Sequence, residues 1–319
     1  MHIVIYLPAD FYSAIASTII ETFQAVTVAN PARLFSFEFV SRHPQARSKS
    51  GISFPGKAAP SRKMDLLFLL AGAKPNISQT LELLDEETSH AKPLIDLAQK
   101  QDAIIAATCS AAWLLAGNGI LDGKRATISW WLKKKAASRF PKVRWEPSRI
   151  VVREGRLYTC GGSFSGIELI TTLLVDLGFS QEERQVRKMM VLPPPREFQS
   201  PYEIPLSEQV DPFEKNLNAL AEKHIQELSL EFLARELGTS SRNLSRKFSD
   251  ELETSPGKWI QEKRLDMAKI LLEETELRIF EVCHRVGYQD PASFSRLFLK
   301  ATGMSPNVYR EQLQPCRAR

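Results

Sequence analysis

The sequence contains few cysteines, and none of them is spaced like a metal ligand. Cys109, Cys160, Cys283 and Cys316 form no C-x-x-C pair, so neither a zinc site nor a disulfide framework is expected. All four are interpreted as reduced thiols, as is usual for a protein of the cytoplasm. The sequence therefore predicts no metal site, and no cofactor is expected.

Long apolar runs are absent as well. No stretch of the sequence approaches the ~20 residues that a membrane-spanning helix needs. The first residues, MHIVIYLPAD, run directly into a predicted strand, without the basic segment and cleavage site of a signal peptide. We therefore expect a soluble cytoplasmic protein with no membrane partner.

The net charge is low for a chain of 319 residues. The chain has 42 Lys and Arg against 37 Asp and Glu, and residues 215–319 have only 17 against 15. Charge alone therefore does not indicate nucleic-acid binding, and any DNA contact must come from cations gathered on one face. The hydrophobic fraction of 43% is ordinary for a globular protein, and the length suggests about two domains.

Residues 1–180 alternate short apolar runs with helical stretches. Ile3–Leu7, Leu66–Leu70 and Ala103–Ala107 are apolar throughout, as expected of strands that are buried on both faces. The sequence therefore predicts an α/β domain of flavodoxin-like class, a parallel sheet with helices on both faces. Ligands of such sheets bind at the carboxyl ends of the strands.

Prolines interrupt this pattern between residues 181 and 213. Six prolines lie between residues 193 and 212, and proline disfavours both regular helices and sheet ladders. This segment is interpreted as a Pro-rich linker that joins the first domain to a helical domain, residues 214–319.

A repeat fifty residues apart marks the helical domain. The sequence LSRKF at 244–248 returns as FSRLF at 294–298, and a downstream Ser-Pro pair returns at the same offset, at Ser255 and Ser305. A repeat of this length indicates one supersecondary unit used twice. A helical bundle whose Arg and Ser side chains only solvate its surface is the alternative, and two copies with the basic residue in the same place argue against it.

Each copy has the pattern of a helix-turn-helix. Helical apolar spacing stops at Gly238 in the first copy and at Gly287 in the second. A short second helix follows, with residues 239–241 as its cap in the first copy and Pro291 in its first turn in the second. A connecting helix of ~16 residues would be ~24 Å long, so the two second helices could enter successive major-groove turns roughly 34 Å apart. The sequence predicts an all-α domain with two helix-turn-helix motifs.

The second copy and the residues after it contain VGY at 286–288, DPA at 290–292, FSR at 294–296, and Ser-Pro at 305–306 followed by Tyr-Arg at 309–310. These motifs resemble the AraC family of transcription regulators, and the resemblance covers about the last hundred residues. It implies double-stranded DNA as a partner. The residues that would read bases by this resemblance are Arg242, Ser245, Arg246, Ala292, Ser293 and Arg296, since an Arg can grip guanine in bidentate fashion.

Cys109 follows a predicted buried strand and precedes a helical stretch, an arrangement that resembles a nucleophile elbow. The surrounding residues 106–127 resemble the PfpI/class I glutamine amidotransferase-like superfamily, in the GlxA-like branch that is fused to an AraC-type domain. Enzymes of this superfamily often have His where this chain has Ser110, and GlxA-like regulators commonly have His at Ser129. No histidine neighbours Cys109 in sequence to act as its base. We therefore predict no catalytic residues and no enzyme activity.

The role of Cys109 has three readings. It lines an effector pocket in which a helix N-terminus receives an anionic ligand group, it is a small residue at a tight turn, or it is a redox sensor with an exposed thiol. The predicted ligand-binding residues are Gly72, Ala73, Cys109, Ser110, Ser129 and Trp130. The resemblance suggests an amino-acid-like or quaternary-amine effector and a homodimer formed through the first domain.

The predicted function is a sequence-specific DNA-binding transcription regulator whose non-catalytic first domain senses a small metabolite. One alternative is a cysteine-dependent hydrolase or amidotransferase-like enzyme fused to a DNA-binding module. Another is a constitutive regulator with an inert first domain. Lys133–Lys135 is interpreted as a solvated face that could also touch the flanks of bound DNA.

Overall fold

The chain folds as two compact units, residues 1–203 and 204–319, which are described separately. The structure is a computed structural model and describes residues 1–203, 212–252 and 254–313. Cys316 lies outside the described residues, while Cys109, Cys160 and Cys283 are buried free thiols. Among the described helices, none has both the length and the apolar character needed to cross a membrane.

The first unit is an α/β sandwich. Its strands are β1 (His2–Tyr6), β2 (Ser36–Val40), β3 (Gln45–Arg47), β4 (Ser53–Pro55), β5 (Leu66–Leu69), β6 (Ile104–Thr108), β7 (Arg125–Ala126), β8 (Arg144–Trp145), β9 (Val151–Glu154) and β10 (Leu157–Cys160). Its α-helices are α1 (Ser13–Ala29), α2 (Ile77–Lys100), α3 (Ala112–Gly117), α4 (Lys133–Arg139), α5 (Gly166–Asp176) and α6 (Ser180–Met189). The main sheet has the order β2-β1-β5-β6-β10-β9 and is parallel except for β9, which pairs antiparallel with β10. The predicted flavodoxin-like parallel sheet is confirmed.

Both faces of this sheet are covered, which explains why its central strands are apolar throughout. Successive side chains of a strand point to opposite faces. In β1, Val4 packs in one core cluster with α2, α3 and α4, while Ile3 and Ile5 pack in the other with α1, α5 and α6. Because helices cover both faces, the loops at the carboxyl ends of the strands are where a ligand would be expected to reach this sheet.

The structure differs from the predicted linker between residues 181 and 203. Helix α6 occupies Ser180–Met189, and its Val186 is buried in the core of the first unit. The helix ends before the first of the six prolines, so those prolines do not oppose it. Residues 196–203 also belong to the first unit. The Gln199 backbone N–H donates to the Ser148 carbonyl oxygen and the Ile150 N–H donates to the Glu197 carbonyl oxygen, both at 2.8 Å, and side chains add further contacts. Residues 204–211 of the predicted linker lie outside the described residues.

All of the regular secondary structure in the described part of the second unit is α-helical. Its helices are α7 (Pro212–His224), α8 (Leu230–Glu236), α9 (Ser241–Leu252), α10 (Pro256–Glu274), α11 (Ile279–Arg285), α12 (Pro291–Thr302) and α13 (Pro306–Leu313). The pairs α8–α9 and α11–α12 are the two predicted helix-turn-helix motifs. The connecting helix α10 has 19 residues, which corresponds to ~28 Å and is somewhat longer than the predicted ~16 residues.

A buried carboxylate fastens the edge strand β2 to the rest of the first unit. Glu38 is buried, and its Oε2 accepts hydrogen bonds from the Ser61 backbone N–H at 2.9 Å and lies 3.2 Å from Nε2 of His2. Its Oε1 lies 2.5 Å from Nζ of Lys57. Burial by itself raises the pKa of Glu38, but the hydrogen bonds from Lys57, Ser61 and His2 outweigh burial and lower the pKa from 4.5 to about 2.

We predict that the first unit loses stability in acid through Glu38. Because the folded pKa lies below the ordinary value of 4.5, the contribution is complete above pH 4.5 and is lost as the pH falls toward about 2. Replacing the carboxylate by Glu38→Gln should lower the free energy of unfolding near neutral pH by about 1–3 kcal/mol and flatten its pH dependence in this window. Urea denaturation at a series of pH values measures both effects.

The matched control is Glu21→Gln, which removes an exposed carboxylate from α1. It should change the unfolding free energy by less than about 0.5 kcal/mol. Equal effects of the two substitutions would contradict the role of Glu38.

Candidate nucleic-acid interface and effector site

The second helices of the two motifs expose the same face. The buried apolar anchors of α9 are Leu244 and Phe248, and those of α12 are Phe294 and Phe298, four residues apart in each case. This spacing places one apolar stripe against the core and leaves the opposite stripe in solvent. The buried anchors therefore determine which side chains of α9 and α12 face the solvent.

All six predicted base-reading residues lie on these outward stripes. Arg242 and Arg246 are exposed and Ser245 is half-buried on α9, while Ala292, Ser293 and Arg296 are exposed on α12. In α12 the Arg296 guanidinium donates to Ser293 Oγ at 3.2 Å, so these two neighbours form one polar group. The structure brings each predicted trio together on a separate helix.

Side-chain caps define where the helices begin. Ser240 Oγ accepts from the backbone N–H of Asn243 at the start of α9, as the sequence predicted. Asp290 caps α12 by accepting from the N–H groups of Ala292 and Ser293, and the hydrogen bonds from Ser293 head the causes that lower its pKa. The repeated Ser-Pro pairs have the same explanation, since Ser255 caps α10 and proline stands at its first helical position.

The turns between the helices differ in length by one residue. Gly238 and Gly287 both have positive φ, +63° and +87°, but they lie forty-nine positions apart while the helices that follow begin fifty apart. A β-carbon on Gly287 would lie 2.9 Å from the backbone oxygen of Gln226 and 2.8 Å from Nη2 of Arg264. The second turn therefore packs tightly against the connection between α7 and α8 and against α10, whereas a β-carbon on Gly238 would meet nothing within 4 Å.

In the first unit, Cys109 occupies a strained turn at the carboxyl end of β6. Its φ is +54°, in the left-handed region that a residue with a β-carbon rarely adopts. A short 3₁₀ turn, Cys109–Ala111, then leads into α3. The predicted elbow is therefore present, and the backbone strain of about 1–3 kcal/mol must be held by the surrounding contacts.

Hydroxyl groups surround the elbow thiol. Cys109 Sγ lies 2.8 Å from Ser129 Oγ, and Ser163 Oγ donates to it at 3.6 Å. Ser129 Oγ also accepts from the backbone N–H of Gly162 at 3.1 Å. On the other side, Ser110 Oγ donates to the carbonyl oxygen of Gly72 at 3.2 Å. Gly72, Cys109, Ser110 and Ser129 thus meet at one edge of the sheet.

Two predicted ligand-binding residues have weaker ties to the elbow. Ala73 is buried beside Gly72. Trp130 is half-buried, and it joins the cluster through its backbone N–H, which donates to Gln199 Oε1 at 3.0 Å. The neighbouring Trp131 packs against the core.

The contacts of Cys109 supply no base for nucleophilic chemistry. Within the described part of the chain its hydrogen-bonding partners are the hydroxyls of Ser129 and Ser163, and a hydroxyl does not take a proton from a thiol near neutral pH. Cys109 is only 4% exposed, which also disfavours the reading as a redox sensor with an accessible thiol. Burial raises the pKa of the neighbouring Cys160 thiol, which keeps it protonated. Among the described residues no three potential ligands are grouped as a metal site.

Gln199 is the functional residue that the sequence did not reveal. Its Nε2 lies within hydrogen-bonding distance of the carbonyl oxygens of Ile128 (2.9 Å) and Arg149 (3.0 Å) and of Thr127 Oγ1 (3.1 Å), while its Oε1 accepts from Trp130. The residue is 3% exposed although it lies in a Pro-rich segment. No local pattern marks it, because all of these partners are 50 or more residues away in sequence.

Two family models match this chain. The helix-turn-helix domain model matches residues 233–312, and the DJ-1/PfpI family model matches residues 56–175. The first covers both motifs of the second unit. The second covers the elbow at Cys109.

Curated relatives combine the same two parts. The HTH-type transcriptional regulator CdhR of Pseudomonas aeruginosa is 25% identical over 272 residues, covering 84% of this chain and 78% of that protein. The HTH-type transcriptional regulator GlxA of Rhizobium meliloti is 25% identical over 252 residues, covering 77% of this chain and 75% of that protein. The chain therefore combines an AraC-type helix-turn-helix domain with a DJ-1/PfpI domain.

The solved structures agree on the fold of the DJ-1/PfpI domain. Drosophila melanogaster DJ-1beta is 16% identical, covers 60% of this chain and 98% of its own, and superposes with a TM-score of 0.50. At this level of identity the likeness establishes the fold alone. The sequence-based assignment to an AraC-type regulator rather than an enzyme is confirmed by the relatives.

We predict that the AraC-type unit tolerates Gly238→Ala better than Gly287→Ala. Both substitutions place a β-carbon in left-handed backbone, at a cost of about 1–2 kcal/mol. Gly287→Ala additionally forces the new carbon against the Gln226 carbonyl and the Arg264 guanidinium, so its total cost should be about 3 kcal/mol. Chemical denaturation of the two variants measures the difference, and equal losses would contradict the close packing of the second turn.

Proposed function

We propose that this protein is a cytoplasmic, sequence-specific transcription regulator that reads double-stranded DNA with α9 and α12 and senses a small metabolite at the elbow of its first unit. The observation that supports the DNA-binding part is the repeated exposure pattern, in which two helices with equally spaced apolar anchors carry Arg242, Arg246 and Arg296 in solvent. The relatives are likewise named as transcription regulators.

The two recognition helices are expected to make unequal contributions. Helix α9 offers Arg242 and Arg246, each able to contact a guanine or a phosphate, whereas α12 offers Arg296 beside the short side chains of Ala292 and Ser293. Small residues allow close approach and contact with a thymine methyl group, but they specify less by hydrogen bonding. The operator should therefore consist of two dissimilar half-sites.

The sensing part of the proposal is supported by the concentration of polar groups at the elbow. Cys109, Ser129 and Ser163 turn their polar atoms toward one another, and Gly162 and Ser163 are half-exposed at the rim. Phe164 follows them with 65% of its surface exposed. An exposed aromatic ring beside hydroxyl groups suits an amine or quaternary-amine head group, which the ring face attracts.

Gln199 provides a physical route from this elbow to the second unit. It belongs to a segment that we call the strap, residues 196–203, the last described part of the chain before the second unit. The strap is held by Arg196, which forms a bidentate ion pair with Glu168 (2.6 and 3.0 Å), and by Gln199, which binds the backbone on both sides of Ser129. A ligand that moves Ser129 therefore acts on the anchor of the strap.

This coupling must take the form of a differential affinity. A ligand shifts DNA binding only if it binds more tightly to one of two strap arrangements than to the other. The hydrogen bonds of Gln199 are the contacts that such a ligand would strengthen or break. Dimerisation through the first unit stays a prediction, as does the identity of the effector.

We predict that Arg246→Ala and Arg296→Ala weaken specific binding through different half-sites. Each bidentate Arg–guanine contact contributes about 1–3 kcal/mol of discrimination, so the affinity for the preferred operator should fall roughly tenfold or more. A duplex selected by the wild-type chain from a random-sequence pool serves as the probe, and footprinting locates the bases that each variant ceases to protect.

The control is Lys223→Ala on α7, which removes the same charge from an exposed position outside both motifs. It should leave the footprint unchanged. Loss of protection at the same few bases in both Arg variants would contradict a reading by two separate helices.

We predict that Gln199→Ala separates ligand binding from the DNA response. Glycine betaine and the common amino acids form the probe panel, and a compound that binds the wild-type chain raises its melting temperature, by the equivalent of about 2.7 kcal/mol at a hundredfold excess over Kd. Ser129→Ala should reduce this shift because it removes a group of the elbow. Gln199→Ala should keep the shift but lose the ligand-dependent change in DNA affinity.

Gln101→Ala is the matched control, since the Gln101 side chain also binds a backbone group, the N–H of Met64, away from the elbow. It should retain both responses. A wild-type chain that responds to none of the compounds would favour a constitutive regulator, and a Gln199→Ala chain with a full DNA response would contradict the coupling through the strap.

A further inference from the structure

The positive charge of this chain lies mainly in the unit that does not contain the recognition helices. Residues 1–203 have 25 Lys and Arg against 19 Asp and Glu, whereas residues 204–319 have 17 against 18. The helix-turn-helix unit is therefore close to neutral. A DNA-binding protein normally gains much of its affinity from cations that neutralise phosphates. In this chain the excess of cations over acidic residues lies in residues 1–203.

Most of the surplus comes from one short segment. Residues 124–144 contain eight Lys and Arg and no Asp or Glu. Helix α4 supplies four of these cations, and the paired strands β7 and β8 with their flanks supply the others. The chain passes from Arg139 at the end of α4 to Arg144 in β8 within five residues, which limits the separation of their backbones to ~18 Å.

Three of these cations are exposed and have no ion pair within the described part of the chain. They are Lys135, Arg139 and Arg144, and we call them the basic face. Other cations of the segment are engaged, since Arg125 pairs with Glu146 at 2.6 Å and Lys142 pairs with Asp122 at 3.3 Å. Arg144 donates to the Gly123 carbonyl oxygen at 2.6 Å, which orients its guanidinium without neutralising it.

The arrangement of the basic face is unfavourable for the isolated fold. Lys135 and Arg139 are four residues apart on α4, and like charges at this spacing repel each other. An ordinary solvated helix intersperses acidic residues to remove this repulsion, and α4 has none. A bound polyanion would turn the repulsion into attraction.

We infer that the basic face contacts the phosphates of duplex DNA flanking the operator. The inference rests on the proposed function, because it requires the recognition helices to hold DNA first. Both units belong to one chain, so DNA bound by the second unit reaches the first at a high effective concentration, and even weak phosphate contacts then add to the affinity. Such contacts carry no sequence information and act through charge.

The test measures how the DNA affinity of the full chain depends on salt. Each phosphate contact contributes about 0.9 to the slope of log affinity against log salt. On a long duplex containing the selected operator, Lys135→Gln/Arg139→Gln should make the slope shallower by about 2, and adding Arg144→Gln by nearly 3. On a duplex trimmed to the footprint of the recognition helices, the variants and the wild-type chain should have the same slope.

The chain offers a closely matched control in Arg184→Gln/Lys188→Gln. These cations are also exposed and four residues apart, but they lie on α6, which covers the opposite face of the sheet from α4. The control should leave the slope unchanged. The melting temperature of Lys135→Gln/Arg139→Gln should equal or exceed that of the wild-type chain, because the substitution removes a repulsion and not a contact.

Three results would overturn the inference while leaving the proposed function intact. The first is an unchanged slope on the long duplex, and the second is an equal change in the α6 control. The third is a loss of binding to single-stranded RNA or anionic vesicles with no change on duplex DNA, which would assign the face to another polyanion. A wild-type chain that binds no duplex at all would overturn the proposed function and this inference together.

Discussion

The carboxamide of Gln199 is the contact on which the organisation of the first unit beyond residue 190 depends. The carboxamide binds the backbone of Ile128, Trp130 and Arg149. It also packs against Gly161, where an added β-carbon would lie 2.2 Å from Gln199 Nε2. A buried amide of this kind stabilises only while all of its partners are in place. The strap and the elbow loop are therefore linked directly through this one side chain.

The second unit was largely predictable from the sequence because its determinants are local. Leu244 and Phe248, or Phe294 and Phe298, lie one helical turn apart, and Gly238 and Gly287 lie at positive φ where the helices stop. The helical spacing of apolar residues and the position of a glycine can both be read from the sequence, so they indicate the buried face and the end of a helix directly. The parallel sheet was predictable for the same reason, since a strand buried on both faces is apolar throughout.

The elbow could be predicted only in part. Cys109 after a buried strand marks the turn, but the contact between Cys109 and Ser129 joins residues twenty apart, and that between Gly72 and Ser110 joins residues thirty-eight apart. The assignment of residues 181–203 to a linker failed for a related reason. Proline content describes the local backbone of a segment, whereas this one is fastened to distant partners, by backbone hydrogen bonds to Ser148 and Ile150 and by the side chains of Val186, Arg196 and Gln199.

The two helix-turn-helix motifs share the positions of their buried anchors, while they differ in the caps of their second helices, Ser240 and Asp290, and on their outward stripes. The interior of each motif is thus defined by its buried anchors, whereas the residues proposed to read the operator contribute little to the interior. Exposed substitutions usually change stability by no more than about 0.5 kcal/mol. One motif can therefore acquire a new sequence preference while the other preserves the old one, so that the duplicated architecture lets the set of controlled genes evolve through intermediates that still fold.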